Sequence, residues 1–280
     1  MMHPQGSSRS FECTLVLPTY KAADFIESTV SRLRRFLREH PDWCVLFVCD
    51  GHPDDTAKKL VPLVQDLQDQ VQIDAYDVNR GKGYALRHGL SMARTPYRVY
   101  KDVDLAYDPD EAIKILRLLE SGADLAVANR ASPESLFWMS PRDFPTIYRR
   151  HLMSRTFNWW LRQMLPINIL DTQAGLKGIS ARAWEVLGPK ITTDGFFFDV
   201  ELLAWAGAAR MRIDETPIFV KYIDPTTVRM MRDGWSMIRA TLKLRQKMRT
   251  EVTAALIRQW REEISRQPVV EERPVASQPN

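Results

Sequence analysis

Short runs of apolar residues alternate along the first half of the chain with longer segments whose apolar positions recur every three or four residues. The runs FECTLVL, Phe11 to Leu17, and WCVLFVC, Trp43 to Cys49, are β-prone and continuous, as strands buried on both faces are. Pro18 closes the first, and the turn cluster Asp50-Gly51-His52-Pro53-Asp54-Asp55 closes the second. Between them, residues 22–39 place Phe25, Ile26, Val30, Leu33 and Leu37 on one helical stripe, with Arg32, Arg34, Arg35 and Arg38 outside it. The pattern continues as a helix to about Leu67 with a kink at Pro62, a strand over 71–76, a loop over 79–83 and a helix over 84–93. A strand from Val99, a helix over 109–120 and a strand over 124–128 follow. Five alternations of strand and helix predict an α/β fold with a mostly parallel sheet, which binds ligands at the carboxyl ends of its strands. The strand-end groups Pro18–Lys21, Asp50–Asp55, Asn79–Lys82, Asp102 with Asp104, and Asn129–Arg130 then share one edge.

The second half is patterned differently. Residues 142–165 read as a helix rich in Arg, Phe157, Trp159 and Trp160, ended by Pro166. A helix starts within 196–203, and 211–213 and 217–222 read as strand pieces. One long helix is predicted from Thr226 to about Glu263. Its first 25 residues hold seven basic residues against the single acid Asp233. Arg229, Arg232, Arg239, Lys243 and Lys247 share an arc opposite Val228, Met231, Trp235, Ile238, Leu242 and Leu244. Such a helix either lies on a membrane surface or packs its apolar face on the domain. The resulting division is a disordered 1–9, an α/β domain over 10–225, a basic amphipathic helical extension over 226–264 and a disordered tail over 265–280.

Composition narrows the class. The chain has 280 residues, 45% of them hydrophobic, which is enough for a substantial core. Cys13, Cys44 and Cys49 lie in apolar runs without metal-ligand spacing and read as reduced thiols. The N-terminus lacks the apolar stretch of a signal peptide, and no apolar run reaches the length of a spanning helix. These features predict a cytoplasmic protein, either free or peripheral on the cytoplasmic face of a membrane. The net charge of +4 concentrates on one helix with no nucleic-acid motif, so nucleic acid is not expected as a partner.

The stretch VYKDVDLAYDP, Val99 to Pro109, carries the sharpest chemistry. Asp102 and Asp104 flank one residue at a strand end, where alternate side chains face one side. Two carboxylates so placed repel each other unless a cation lies between them, and oxygen ligands suit Mg2+ or Mn2+ shared with substrate phosphates. The alternative for an isolated pair is an acidic turn.

Further segments join it in order. They are LPTY (17–20), CDGHPDDT (49–56), NRGKGYALRHGL (79–90), KDVDLAYDP (101–109), ANR (128–130), DTQAGLKG (171–178), FDVELL (198–203) and ETPI (215–218). With these the chain resembles the family 2 glycosyltransferases of GT-A (Rossmann-like) fold, over roughly residues 11–250. Within them it is similar to the dolichyl- or polyprenyl-phosphate β-glucosyltransferase branch. Cys49 and His52 stand where the family's DDGSxD turn has Asp and Ser, and Lys21-Ala22 stand where PxYNE has Asn-Glu.

The resemblance implies an inverting, metal-dependent hexosyltransferase. Its donor is a nucleotide sugar, UDP-glucose or a related UDP-sugar, and its acceptor is a polyprenyl or dolichyl phosphate. Asp102 and Asp104 would hold the metal, with Asp102 also at the donor. Lys82 and Arg87 would add positive charge beside the diphosphate, and Arg130 would hold the diphosphate or an acceptor phosphate. Asp50 would bond base or ribose, and Pro18 and Tyr20 would shape the base pocket. Asp171 is either the general base for an acceptor hydroxyl or a group orienting Gln173 and Lys177, with Lys177 near a lipid phosphate. Glu201, in an apolar helix, must bond backbone or an Arg. Arg149, Arg150 and Arg155 with Trp159 and Trp160 form either an acceptor platform or core packing, and the histidines read as structural. Two other readings remain open: the same domain glycosylating a soluble small molecule or glycan, and a non-catalytic nucleotide-binding or membrane-adaptor protein.

Overall fold

The structure is a computed structural model that describes residues 10–104, 106–142, 144–221, 230–251 and 262. The expected disorder of 1–9 and 265–280 and the start of the last helix, including Val228 and Arg229, lie outside these residues.

In chain order the elements are β1 (Cys13–Thr19), α1 (Ile26–Glu39), β2 (Trp43–Asp50), α2 (Thr56–Leu63), β3 (Val71–Tyr76), α3 (Lys82–Met92), β4 (Tyr97–Lys101), α4 (Glu111–Glu120) and β5 (Leu125–Asn129). There follow β6 (Leu136–Trp138), α5 (Phe144–Met164), β7 (Leu176–Ser180), α6 (Ala181–Leu187), α7 (Phe198–Ala208), β8 (Ile213–Pro217), β9 (Phe219–Lys221) and α8 (Met230–Glu251). Seven strands form one sheet in the order β3-β2-β1-β4-β7-β5-β8, and β6 pairs with β9 in a separate parallel ribbon. Only β7 runs antiparallel in the main sheet, between β4 and β5. The expected mostly parallel α/β sheet is the observed one.

Alternate residues of each central strand face opposite layers. Leu15 and Leu17 pack with α1, α2 and α4, while Val16 faces the layer that holds α3, α5, α6 and α7. Both faces are therefore buried, which explains the continuous apolar runs. The α7 helix is buried on nearly every face, Asp199 and Glu201 included, and a Cβ on its Gly207 would collide with the Pro166 carbonyl. Gly178 of β7 lets Ile115 and Leu119 of α4 lie close above the strand.

β7 had no counterpart in the sequence reading, because Lys177 and Gly178 interrupt its apolar pattern. The last helix also differs from expectation. Thr241, Leu244 and Met248 of α8 are buried, with Met237 and Ala240 packed beside them on the core, whereas Leu242 is exposed. The described part of α8 thus turns a stripe spaced at 237, 240–241, 244 and 248 onto its own domain. Lys247 Nζ lies 5.6 Å from the Trp205 ring, and Arg245 reaches the Met164 sulfur at 3.2 Å. Among the described residues no helix is long and apolar enough to cross a membrane, and the three cysteines are free.

Candidate active site

The carboxyl ends of β1, β2 and β4 meet the loops that precede α2, α3 and β7, and these loops are bonded to one another. After β1, Ala22 N donates to Thr56 Oγ1 at 2.9 Å and Ala23 N to Asp54 Oδ2 at 3.2 Å, which staples the first loop to the second. Pro18 lies within β1, opposite Val48 of β2. Tyr20 stands exposed just beyond the strand, with Lys21 Nζ 5.4 Å from its ring.

Asp50 ends β2 and is buried. Its carboxylate accepts the backbone N–H groups of Arg80 (2.6 Å) and Gly81 (2.9 Å) and the side-chain amide of Asn79 (2.9 Å). The structure therefore places Asp50 as the anchor of the Asn79–Lys82 loop. Gly81 holds φ +100°, and a Cβ there would collide with the Asp194 carbonyl, so the loop lies flush against residues 193–195. Glu201 secures that partner segment by accepting from Thr192 N (3.0 Å) and Thr193 N (2.8 Å), the backbone bonding expected of it. Arg87, one turn into α3, donates to the Ile191 carbonyl and pairs with Asp194 at 2.5 Å. It braces the 191–194 segment and makes no ion pair with Asp102.

Lys82 reaches across to Asp102, with Nζ 2.5 Å from Oδ1. Burial acts against the Lys82 ammonium, but Asp102 and Asp199 outweigh it and raise its pKa. The β4 strand ends at Lys101, so Asp102 and Asp104 sit in the turn beyond it rather than on alternate strand positions. Thr29 donates to the Val103 carbonyl and Arg32 bonds Asp108, which fixes that turn against α1. Lys101 is fully buried and donates to the Tyr107 carbonyl; burial pushes its ammonium down to about 7. Burial, and then the charge of Asp102, push the Asp104 carboxyl above the usual range. This is the behaviour of adjacent carboxylates short of positive charge. A Cβ on Gly175 would collide with the Asp102 carboxylate, so the DTQAG loop also closes directly over it. An all-oxygen donor pair, mutual repulsion and a lysine already drawn to one carboxylate fit a hard divalent cation. The described trio Glu39, His40 and Asp110 belongs to the end of α1 and the start of α4, apart from this donor pair.

On the other side of Gly175 lies a second set of charges. Asp171 is buried and held by Arg130 in a two-pronged pair, Nε to Oδ2 at 2.7 Å and Nη2 to Oδ1 at 2.9 Å. Arg130 N and Gln173 N donate to it as well. Burial alone would raise the Asp171 carboxyl, but Arg130 and Lys177 hold it below the ordinary range. Glu215 accepts from Leu170 N at 3.0 Å, and Asn158 of α5 accepts from Thr172 N at 3.2 Å, so three elements clamp this loop. Lys177 points into the core, bonded to the Ala174 carbonyl (2.5 Å) and Asp199 (2.7 Å). Tyr100 donates to the same Asp199 oxygen at 2.8 Å, and burial depresses the Lys177 ammonium.

The structure thus brings Asp102, Asp104, Lys82, Asp171 and Arg130 to one edge and ties Asp50 to it through the 79–82 loop. Lys177 lies behind the edge as a strut. The sequence reading did not single out Asn158, Gly175, Asp194 or the Tyr100–Asp199 partnership. Only the small residues of DTQAGLKG could have signalled a packed junction there. His52 and His88 face Asp77 and Asp74, a structural placement (3.6 and 2.8 Å). Trp160 packs toward the core beside Phe157, whereas Trp159 is exposed.

The family model described as "Glycosyl transferase family 2" matches residues 14–179, which span β1 to β7 and therefore both sets of charges. The chain belongs to glycosyl transferase family 2. It is a glycosyltransferase with the GT-A fold. It is 27% identical over 252 residues to a dolichyl-phosphate beta-glucosyltransferase of Saccharomyces cerevisiae, with 83% of this chain and 73% of that protein covered. It is 29% identical over 233 residues to glycosyltransferase AglD of Haloferax volcanii, covering 81% of this chain but only 36% of AglD. A polyprenol monophosphomannose synthase of Mycolicibacterium smegmatis is 27% identical over 208 residues, 73% of this chain and 75% of that one. The fold is shared with glucosyl-3-phosphoglycerate synthase of Mycobacterium tuberculosis in its complex with phosphoglyceric acid, at TM-score 0.61 and 17% identity. That match covers 87% of this chain and 85% of the other. The same synthase in complex with Mn2+, UDP and glucosyl-3-phosphoglycerate superposes at TM-score 0.57 and 17% identity, covering 88% and 86%.

Proposed function

We propose that this family 2 glycosyltransferase transfers a hexose from a UDP-sugar, UDP-glucose in the first instance, to a polyprenyl or dolichyl phosphate with inversion at the anomeric carbon. The observation that carries the reading is the junction at Gly175. There the Lys82–Asp102–Asp104 corner and the Arg130–Asp171 pair meet across a loop that lays Gly175 against the Asp102 carboxylate. Relatives named for dolichyl-phosphate glucosyl transfer and polyprenol-phosphate mannose synthesis support the acceptor. A structural neighbour with Mn2+ and UDP supports the donor class.

Asp104 and Asp102 would hold Mg2+ or Mn2+. The ion supplies charge neutralisation to the departing diphosphate. Lys82 would follow the diphosphate, exchanging its pair with Asp102 for one with a phosphate oxygen. Asp50 acts through the 79–82 loop it anchors, with Pro18 and Tyr20 bordering the base. Arg87 keeps that loop seated by bracing 191–194.

Arg130 presents guanidinium to the acceptor phosphate, oriented by Asp171. Both Asp171 oxygens already accept from Arg130, and the carboxyl is held below its usual range. It is therefore a poor proton acceptor, and a phosphate acceptor needs none: one of its oxygens attacks the anomeric carbon as an anion. This favours a phosphate over a sugar hydroxyl as nucleophile. Lys177 and Asp199 hold the floor beneath.

The test is a thermal-shift screen of UDP- and GDP-sugars with and without Mn2+ or Mg2+. A donor that binds the native state at 100 times its Kd adds about 2.7 kcal/mol. The reading expects a metal-dependent shift with a UDP-hexose that Asp104→Ala removes. Equal shifts in the variant would refute the metal assignment.

A further inference from the structure

The long helix α5 is built inside out on its solvent side. Phe144, Tyr148, Leu152 and Trp159 follow one another at helical spacing, and all are exposed, Tyr148 at 58% and Trp159 at 57%. With Arg155 they fall within an arc of about 80° at 100° per residue. The buried Asn158, Leu161 and nearby Leu165 lie outside this arc, against the domain. A surface helix ordinarily turns polar residues to water, and apolar patches left exposed mark a partner. The β6–β9 ribbon, joined to α5 by a short connection, carries further exposed apolar side chains. Leu136 (64%) and Trp138 (57%) stand exposed on β6, five residues before α5, with Lys221 Nζ of β9 5.0 Å from the Trp138 ring.

Charge decides between occupants. Residues 144–164 contain Arg149, Arg150, Arg155 and Arg162 and no Asp or Glu. A second copy docked about a two-fold axis would set this basic, acid-free helix against itself. An anionic bilayer surface meets both features, taking the aromatic and leucine side chains at the headgroup boundary and the guanidinium groups at its phosphates.

We infer that the exposed stripe of α5, together with the β6–β9 ribbon, is a docking surface for an anionic membrane. The surface stands on exposure and charge. Its use in turnover rests on the lipid-phosphate reading above. The placement suits that use, because the ribbon and α5 are each bonded to residues beside the Arg130–Asp171 pair. Ser135, just before β6, donates to the Asn129 carbonyl at 2.6 Å, and Asn158 of α5 holds Thr172.

The experiment is co-sedimentation with phosphatidylcholine vesicles with and without phosphatidylglycerol, using the full chain and the variant Trp138→Ser/Tyr148→Ser/Leu152→Ser. The native protein should pellet with the anionic vesicles and be released by high salt. The variant should bind at least about tenfold more weakly, since three exposed apolar side chains leave the interface. Its melting temperature and its transfer to a short-chain, water-soluble polyprenyl phosphate should be unchanged. Native protein left in the supernatant, or a variant that pellets equally, overturns the inference. So does light scattering that shows a native dimer made monomeric by the variant. If vesicle binding behaves as expected but the short-chain phosphate is not glycosylated, the docking surface stands and the lipid-phosphate reading falls.

Discussion

The two sets of charges flanking Gly175 are organised in opposite ways. On the Asp102 side Lys82 pairs with Asp102, while Asp104 has one backbone donor and is raised by burial and by its neighbour's charge. On the Asp171 side the principal charges are matched. Arg130 grips Asp171 with two prongs, and Lys177, Asp199 and Tyr100 close a buried network. A cluster short of positive charge is one that a ligand completes. A cluster already satisfied is one that holds geometry. The first should therefore fail in activity when altered, and the buried Lys177–Asp199–Tyr100 part of the second in stability.

The largest effect is expected in the satisfied network. Lys177→Met leaves Asp199 buried without its cation, and breaking such a pair costs about 3–5 kcal/mol. Denaturant unfolding should show it. Lys177→Met/Asp199→Leu, which removes both charges, should recover much of the loss. A single variant as stable as the native protein would erase the contrast.

Asp104→Ala comes next. It should lower sugar transfer by more than about 100-fold, beyond the cost of losing an outer partner of a metal site, while leaving the melting temperature unchanged or higher. Removing one of two repelling carboxylates relieves the fold, so a large destabilisation would contradict the reading.

Gly175→Ala tests the boundary between the two sets. The added methyl meets the mobile end of Asp102 rather than backbone, so the carboxylate can shift aside. Misplacement of a reacting group by about 1 Å costs up to about 100-fold, and a roughly tenfold fall in turnover with little loss of stability is expected.

The smallest effect is the pH response of Asp171→Asn. The folded Asp171 carboxyl lies below its unfolded value near 3.9, so the unfolded chain takes up its proton first. That stability is fully present above about pH 4 and is lost as pH falls through the folded value. The melting temperature of the native protein should fall more steeply on the acid side than that of Asp171→Asn. Parallel acid limbs would contradict the pairing.

The same contrast explains what could be read from the residues alone. The parallel half was legible because strands buried on both faces must be continuously apolar, as β1 and β2 are. The Asp102–Asp104 pair announced itself as two carboxylates one residue apart at the end of an apolar run. Strand β7 was hidden because a buried lysine breaks an apolar pattern. The partner that permits it, Asp199, comes 22 residues later in a helix of apolar neighbours. The anchoring role of Asp50 was also invisible, since two of its partners are backbone N–H groups that every sequence carries. The long basic helix misled because Thr241 and Met237 share its packed face while Leu242 does not.

The most direct measurement is the product itself. Purified protein with Mn2+, labelled UDP-glucose and a short-chain polyprenyl phosphate should give label in an organic-extractable glucosyl phosphate whose anomeric carbon is β by nuclear magnetic resonance. Label confined to water-soluble sugar or glycan, or an α-linked lipid product, would contradict the account.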